Sequence, residues 1–301
     1  MLAVNPSCQW LHWQANSWQP ALTTFDTLPM GLWWGASVFT TFRWPLSRVG
    51  WLAHHQRLVT SCQLLGLEPP PCPVSTWQGL QQHVSPPKGT YVKVRLTGVV
   101  ASATLQAACM ALGELLPLTW LACIEPTPLA PWSAEHPAVE QGIVALTHPF
   151  APTWPTHKTG DFWPSLHVQR QVLAAVAHHT PQPTHVVWQH PTQGFFTEAS
   201  WANVVWLDKS HTLRFAPKGS VLDGVTQQQW LQAAEQLGLP FTNEPTTIAT
   251  PLLGAWVMNS VAGVQPLARL NQQVLPWPVS AQTVAEALYT QWLATSCPAL
   301  G

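Results

Sequence analysis

Five lysines occur in the 301 residues, and Lys158 is the one whose surroundings could turn an amine into a reagent. Lys88 (Pro-Pro-Lys-Gly), Lys209 (Asp-Lys-Ser) and Lys218 (Pro-Lys-Gly) sit among turn-forming residues and read as solvated loop lysines. Lys93 falls in an alternating run, Tyr91 to Thr97, that reads as a strand. Lys158 follows a Pro-rich connector and precedes a helix expected from about Pro164, so it stands at an element boundary in apolar company. An amine that loses solvation there has its pKa pushed down and can act as a nucleophile or Schiff-base former. A lone lysine is far more often a solvated side chain, so the case rests on its companions.

Glu198 is the second charge that stands out, between Phe195-Phe-Thr197 and Ala199-Ser-Trp201. It reads either as a strand-edge glutamate in solvent or as the partner of a buried cation, for which a protonated heterocyclic nitrogen would qualify. Gly224-Val225-Thr226 opens an expected helix, where free N–H groups and the positive end of the helix dipole would receive a phosphate, or where an ordinary cap would sit. No dinucleotide fingerprint and no Walker loop accompanies it. Asn259-Ser260 places polar groups at the end of an expected strand, Ala255 to Met258, as a ligand site or as a turn. His54, His55 and Arg57 share the polar face of an expected helix. Adjacent histidines diverge on a helix, so a metal site there is not expected.

These groups need elements to hold them. Val38 to Arg43 reads as a strand, Trp51 to Leu67 as a helix, Ser75 as the cap of a short helix to Val84, and Tyr91 to Thr97 as a returning strand. Glu125 to Pro137 is Pro-rich and aperiodic, the expected linker. Beyond it, strands are expected at 142–148, 184–189, 194–198, 203–207, 213–216, 255–258 and 265–270, with helices at 164–178, 225–237 and 280–295. The interleaving specifies an α/β or α+β chain of enzyme size, and its length favours two domains.

Composition narrows the function. Lys+Arg 12 against Asp+Glu 13, without charge runs, recruits neither nucleic acid nor a membrane surface. The six cysteines form no Cys-x-x-Cys pair, which argues against a disulfide framework and a zinc site and fits a reducing, cytoplasmic setting. The first residues lack the basic start and apolar core of a signal peptide. The most membrane-like window, Val99 to Ile124, contains Gln106, Gly113, Glu114 and Pro117 and reads as buried core.

Taken in order, the signals resemble the fold-type IV enzymes that use pyridoxal 5'-phosphate, the class IV aminotransferase family, over about Gly31 to Leu267. Gly35-Ala-Ser-Val-Phe-Thr-Thr-Phe-Arg43 is similar to the family's glycine-to-Phe-x-Thr strand, and His54-His-Gln-Arg57-Leu58 to its His-x-x-Arg-Leu helix. Thr197-Glu198-Ala-Ser-Trp-Ala-Asn203 resembles Thr-Glu-x-Ser-x-x-Asn, and Leu222-Asp-Gly224-Val225-Thr226 resembles Leu-Pro-Gly-Ile-Thr. The resemblance implies a small N-terminal α/β domain over 1–125, a linker over 126–140 and a larger C-terminal domain over 141–301, with the cofactor between them. It implies that Lys158 bonds the cofactor and moves protons, that Glu198 pairs with the pyridine nitrogen, and that Arg57, Val225, Thr226, Asn259 and Ser260 bind the cofactor, chiefly at its phosphate. A homodimer and a small-molecule amine substrate are implied too, and 19 tryptophans offer apolar area for an interface.

Met258-Asn-Ser-Val-Ala-Gly-Val-Gln-Pro-Leu267 and Thr40-Thr41 are closer to 4-amino-4-deoxychorismate lyase than to branched-chain aminotransferases. The expected reaction is therefore conversion of 4-amino-4-deoxychorismate to 4-aminobenzoate and pyruvate for folate biosynthesis. The alternatives are an aminotransferase for a branched-chain or D-amino acid and a non-catalytic relative of the fold. Gln227 replaces the arginine usual after the threonine, and the Arg-Gly that often closes the Arg95 strand is missing. Asp161 replaces a frequent asparagine, and Trp163 stands where branched-chain enzymes carry a tyrosine.

Overall fold

The computed structural model describes residues 8–21, 35–101, 115–160, 163–178 and 181–296. They form two compact units. The first runs to Pro131 and takes back the short segment beginning at His157; the second comprises Trp132–Thr156 and Trp163–Ser296. The expected readings at Gly31 to Trp34, Asp161, Cys109 and Cys297, and residues 102–114 of the 99–124 window, lie outside the described residues.

The first unit is built on a five-stranded antiparallel sheet in the order β2-β1-β5-β4-β3. Its strands are β1 (Gln9–Gln14), β2 (Ser17–Pro20), β3 (Ser37–Trp44), β4 (Tyr91–Val100) and β5 (Leu118–Leu129). β1 and β2 pair antiparallel, with Trp13 opposite Trp18. They form a hairpin because Ala15 and Asn16 both take positive φ, 49° and 60°, as a tight right-twisted turn requires. β5 pairs with β4 as far as Leu129 opposite Tyr91, so part of the expected linker is ladder. The described ends of the membrane-like window are strand, and among the described residues no helix is long and apolar enough to cross a membrane.

Helix α1 (Arg48–Leu64) starts where Ser47 Oγ accepts from Gly50 N at 3.0 Å. It turns Trp51, His54, His55, Leu58 and Cys62 inward against β3, while Arg57 is half-buried at the edge of that face. Helix α2 (Pro73–His83) begins before the expected Ser75 cap. Cys72 is the N-cap and Pro73 the first helical residue, a position where proline's fixed φ and missing N–H cost nothing.

In the second unit, β6 (Ile143–Pro149), β7 (His185–Gln189), β8 (Phe196–Ala199), β9 (Ala202–Asp208), β12 (Leu252–Asn259) and β13 (Gly263–Leu270) close into a ring. The order β9-β12-β13-β6-β7-β8 is completed by pairing of β8 with β9. Short strands β10 (Leu213–Arg214), β11 (Phe241–Thr242) and β14 (Gln273–Val274) extend it. Every residue of β9 is buried, which explains why its centre, Val204-Val-Trp-Leu207, is a continuous apolar run and not an alternation. Helix α3 (Trp163–Ala175) packs on β7, and α4 (Val225–Gln236) and α5 (Val279–Ser296) pack on each other. Trp230, Trp256, Trp277 and Trp292 fill the core beneath α4 and α5.

His136 is tied into this core, its Nε2 accepting from Trp256 Nε1 at 3.1 Å. Burial pushes its pKa down to about 4. Its folded pKa lies below the unfolded value near 6.5, so between these two the unfolded chain binds a proton that the folded chain refuses. Unfolding free energy should therefore fall as pH drops from 6.5 to 4, and His136→Phe should reduce that slope in urea titrations across the window.

Candidate active site

The segment carrying Lys158 is stitched to the edge of β3. Phe39 N donates to Lys158 O at 2.9 Å, Gly160 N donates to Ser37 O at 2.9 Å, and Thr159 bridges Val38. Gly160 must lack a side chain, because a Cβ there would strike Ser37 Oγ and stand 2.9 Å from Gly35 O. His157 Nδ1 meets Ser61 Oγ of α1 at 3.2 Å. Lys158 is thereby half-buried, with Nζ 5.3 Å from the centroid of the Phe39 ring.

Beside it lies a chain of polar contacts. Arg57 Nη2 donates to Thr40 Oγ1 at 2.6 Å, and Thr40 Oγ1 stands 2.6 Å from His54 Nδ1. With two lone pairs and one proton, Thr40 Oγ1 can accept from the guanidinium and either donate to His54 Nδ1 or accept from it, according to the ring's tautomer. Burial, then Arg57, then Lys158 hold the His54 pKa well below 6.5, in agreement with a neutral ring. Arg57 Nε is enclosed without a hydrogen-bond partner, and no carboxylate pairs with Arg57 among the described residues. Burial lowers its pKa to about 10, so it stays charged at neutral pH. A buried guanidinium with an open donor and no counter-charge is a seat for an anion.

In the second unit the Thr197-to-Asn203 motif is a tight structural device around Glu198. Thr197 Oγ1 donates to Trp188 O at 3.2 Å, and Ser200 Oγ accepts from Val186 N at 3.0 Å, both fixing the β8–β9 turn to β7. Glu198 is half-buried, opposite Asn203 in the β8–β9 register. Asn203 Nδ2 donates to Leu222 O at 2.8 Å, tying that turn to the loop before α4. Gly224 answers Asn203: a Cβ at Gly224 would collide with the Asn203 amide.

Gly224 is the N-cap of α4 and offers no side chain to the first-turn N–H groups. Thr226 Oγ1, in that first turn, lies 3.2 Å from Ser260 Oγ at the end of β12. The hydroxyl pair and the uncapped helix start form a second cluster of anion-binding groups. Asn259 Oδ1 accepts from Val261 N at 2.8 Å and Ala262 N at 2.7 Å, so this side chain shapes the turn that presents Ser260.

Of the residues singled out from sequence, Lys158 and Arg57 belong to one cluster in the first unit. Glu198, Val225, Thr226, Asn259 and Ser260 belong to the connected loops of the second. Thr40, His54 and Asn203 carry the geometry and were not assigned roles in it. The Thr-x-x-x-x-x-Asn ending of the Glu198 motif was the available signal for Asn203; Thr40 and His54 are joined only by the fold. Trp163 is 64% exposed and stacks on His167.

A sequence profile of the amino-transferase class IV family matches residues 37–270. No curated protein matches the chain. Among solved structures, the fold IV-transaminase CpuTA1 from Curtobacterium pusillum superposes with a TM-score of 0.70 at 16% identity, covering 96% of this chain and 98% of that one. A hypothetical aminotransferase from Mycobacterium tuberculosis in its PLP-bound form gives 0.66 at 20% identity, with 92% and 95% covered. The branched-chain amino acid aminotransferase of Escherichia coli gives 0.66 at 17% identity, with 87% of each chain covered. The mixed α/β architecture described above is thus the fold of these enzymes.

Because Gly224 and Asn203 share one space, Gly224→Ala should lower unfolding free energy by about 1–3 kcal/mol through overpacking. Urea denaturation of the variant against wild type measures it, and unchanged stability would mean that the loop before α4 can yield.

Proposed function

We propose that this chain, which belongs to the amino-transferase class IV family, binds pyridoxal 5'-phosphate and converts 4-amino-4-deoxychorismate to 4-aminobenzoate and pyruvate, a step of folate biosynthesis. The observation that carries the cofactor reading is the enclosed, unpaired Arg57 guanidinium beside the segment that fixes Lys158. The residues fit the group. Arg57 offers an open donor to a phosphate, the uncapped start of α4 with Thr226 and Ser260 offers more, Lys158 offers an amine, and Glu198 offers a carboxylate for a ring nitrogen. Each unit supports its share of these groups with its own hydrogen bonds.

When bound, the cofactor supplies an aldehyde for covalent capture of amines and a ring that accepts electrons. Lys158 would hold it, and Lys158 Nζ would move the proton from the amine-bearing carbon of the substrate to the departing enolpyruvyl group, which leaves as pyruvate. Aromatisation of the six-membered ring drives this step. Glu198 keeps the pyridine nitrogen protonated, and Thr40 keeps Arg57 aimed by accepting from Nη2. Support for the lyase over its relatives comes from the Asn259 turn leading into Val264-Gln-Pro266 of β13 and from the hydroxyl of Thr40 where branched-chain enzymes carry an acid.

The second reading is an aminotransferase, favoured by the family description and by the names of the superposed enzymes. A homodimer is proposed with either activity, supported by exposed Trp154, Trp163 and Trp201. Among the described residues, Cys8, Cys62, Cys72 and Cys123 are free thiols, which supports a cytoplasmic setting.

With 4-amino-4-deoxychorismate and no keto acid, the purified protein should release 4-aminobenzoate continuously. Bleaching of the cofactor band by leucine or D-alanine and its recovery with a keto acid, without 4-aminobenzoate release, would establish the aminotransferase instead. Arg57→Ala should weaken cofactor binding by roughly ten- to a hundredfold in an absorbance titration. Glu198→Gln should retain the cofactor but lower turnover by about a hundredfold or more; wild-type turnover would leave Glu198 an ordinary strand residue.

A further inference from the structure

We infer that His54 is a positioning residue for the anion seat at Arg57: a buried ring that holds the Thr40 hydroxyl and, through it, fixes the direction of the guanidinium. This rests on the function proposed above, in which Arg57 takes the cofactor phosphate, and adds a residue that acts on the cofactor only through other side chains. His54 and Arg57 lie three residues apart on α1, so both side chains leave the helix on one side. Thr40 of β3 meets both of them, with Oγ1 at 2.6 Å from His54 Nδ1 and at 2.6 Å from Arg57 Nη2. A single hydroxyl therefore joins the ring to the guanidinium.

Three features give His54 this role. The first is enclosure: His54 is 1% exposed and Thr40 fully buried, so solvent does not stand in for either partner, and the His54 ring is packed 5.2 Å from that of Phe42. The second is neutrality. Burial, with Arg57 and Lys158 near, keeps the ring uncharged, and a neutral imidazole bonds the hydroxyl in either tautomer while leaving the guanidinium as the charge that an anion meets. The third is what the relay leaves open. Arg57 Nε is enclosed without a hydrogen-bond partner, and a planar fork delivers its donors to an anion only when its plane is held. Without the ring nitrogen, the Thr40 hydroxyl keeps only the partner it is meant to aim, and its rotamer is no longer set from behind. A second guanidinium beside Phe39, that of Arg95, is oriented by an aromatic face instead, its carbon 4.0 Å from the ring centroid.

The test is absorbance titration of the protein with pyridoxal phosphate and with pyridoxal, which keeps the aldehyde and the ring and lacks the phosphate. His54→Phe should weaken pyridoxal phosphate by about fivefold or more and bind pyridoxal as wild type does. His54→Asn, whose amide reaches the place of Nδ1, should recover most of that loss. Added to Arg57→Ala, His54→Phe should cost nothing further, because its effect runs through the guanidinium. A His54→Phe that keeps the wild-type preference for the phosphate compound, or loses both compounds equally, overturns the assignment. So does a His54→Asn as weak as His54→Phe, or a loss that persists on top of Arg57→Ala. Should His54→Phe not fold, Thr40→Val decides: it removes the hydroxyl that the relay needs and should lower the same preference, and an unchanged preference overturns the inference. If Arg57→Ala itself keeps the wild-type preference, or wild type takes up neither compound, the proposed function falls together with this inference; a loss in Arg57→Ala without one in His54→Phe overturns the inference alone.

Discussion

The structure of the first unit depends on one constraint: an amine and two guanidiniums are kept around Phe39 and Thr40, and among the described residues no carboxylate contacts either guanidinium. Burying two guanidiniums costs desolvation that no counter-charge in contact with them, among the described residues, repays. The arrangement is held by backbone instead. The hydrogen bonds from Phe39 N and Gly160 N make the Lys158 segment an added piece of strand on β3, so the amine cannot retreat into solvent without breaking ladder. Thr40 completes the arrangement by giving Arg57 an acceptor that carries no charge.

The second unit solves a different problem with neutral groups. Asn203 spans from the Glu198 turn to the loop before α4, and the absence of a side chain at Gly224 is what admits it. One substitution at either position therefore disturbs both the carboxylate and the helix start. The Thr226 and Ser260 hydroxyls join α4 to the end of β12 in the same economical manner, with Asn259 spending its oxygen on the turn between.

Much of this was legible in the sequence where a single periodicity decides an element. β3, α1, β4, β9 and α4 fall within a few residues of their expected positions, since each buries one face or is wholly buried. The misses have physical reasons. β1 and β2 carry tryptophans on both faces, and their turn uses Ala15, a residue rarely placed at positive φ. The α2 start was read from serine when proline at the first position governed. In the site, residues that belong to contiguous motifs could be named, whereas Thr40 with His54 and Phe39 with Arg95 meet only across strands or between a strand and a helix.

The central claim is that Lys158 is the amine this fold was built to hold against a cofactor. Incubation with pyridoxal phosphate, reduction with borohydride and peptide mass spectrometry test it most directly, because reduction fixes the cofactor wherever it is bonded. The account predicts a single labelled peptide, with the added mass on Lys158. Label spread over Lys88, Lys209 and Lys218, or none retained after reduction, would contradict it.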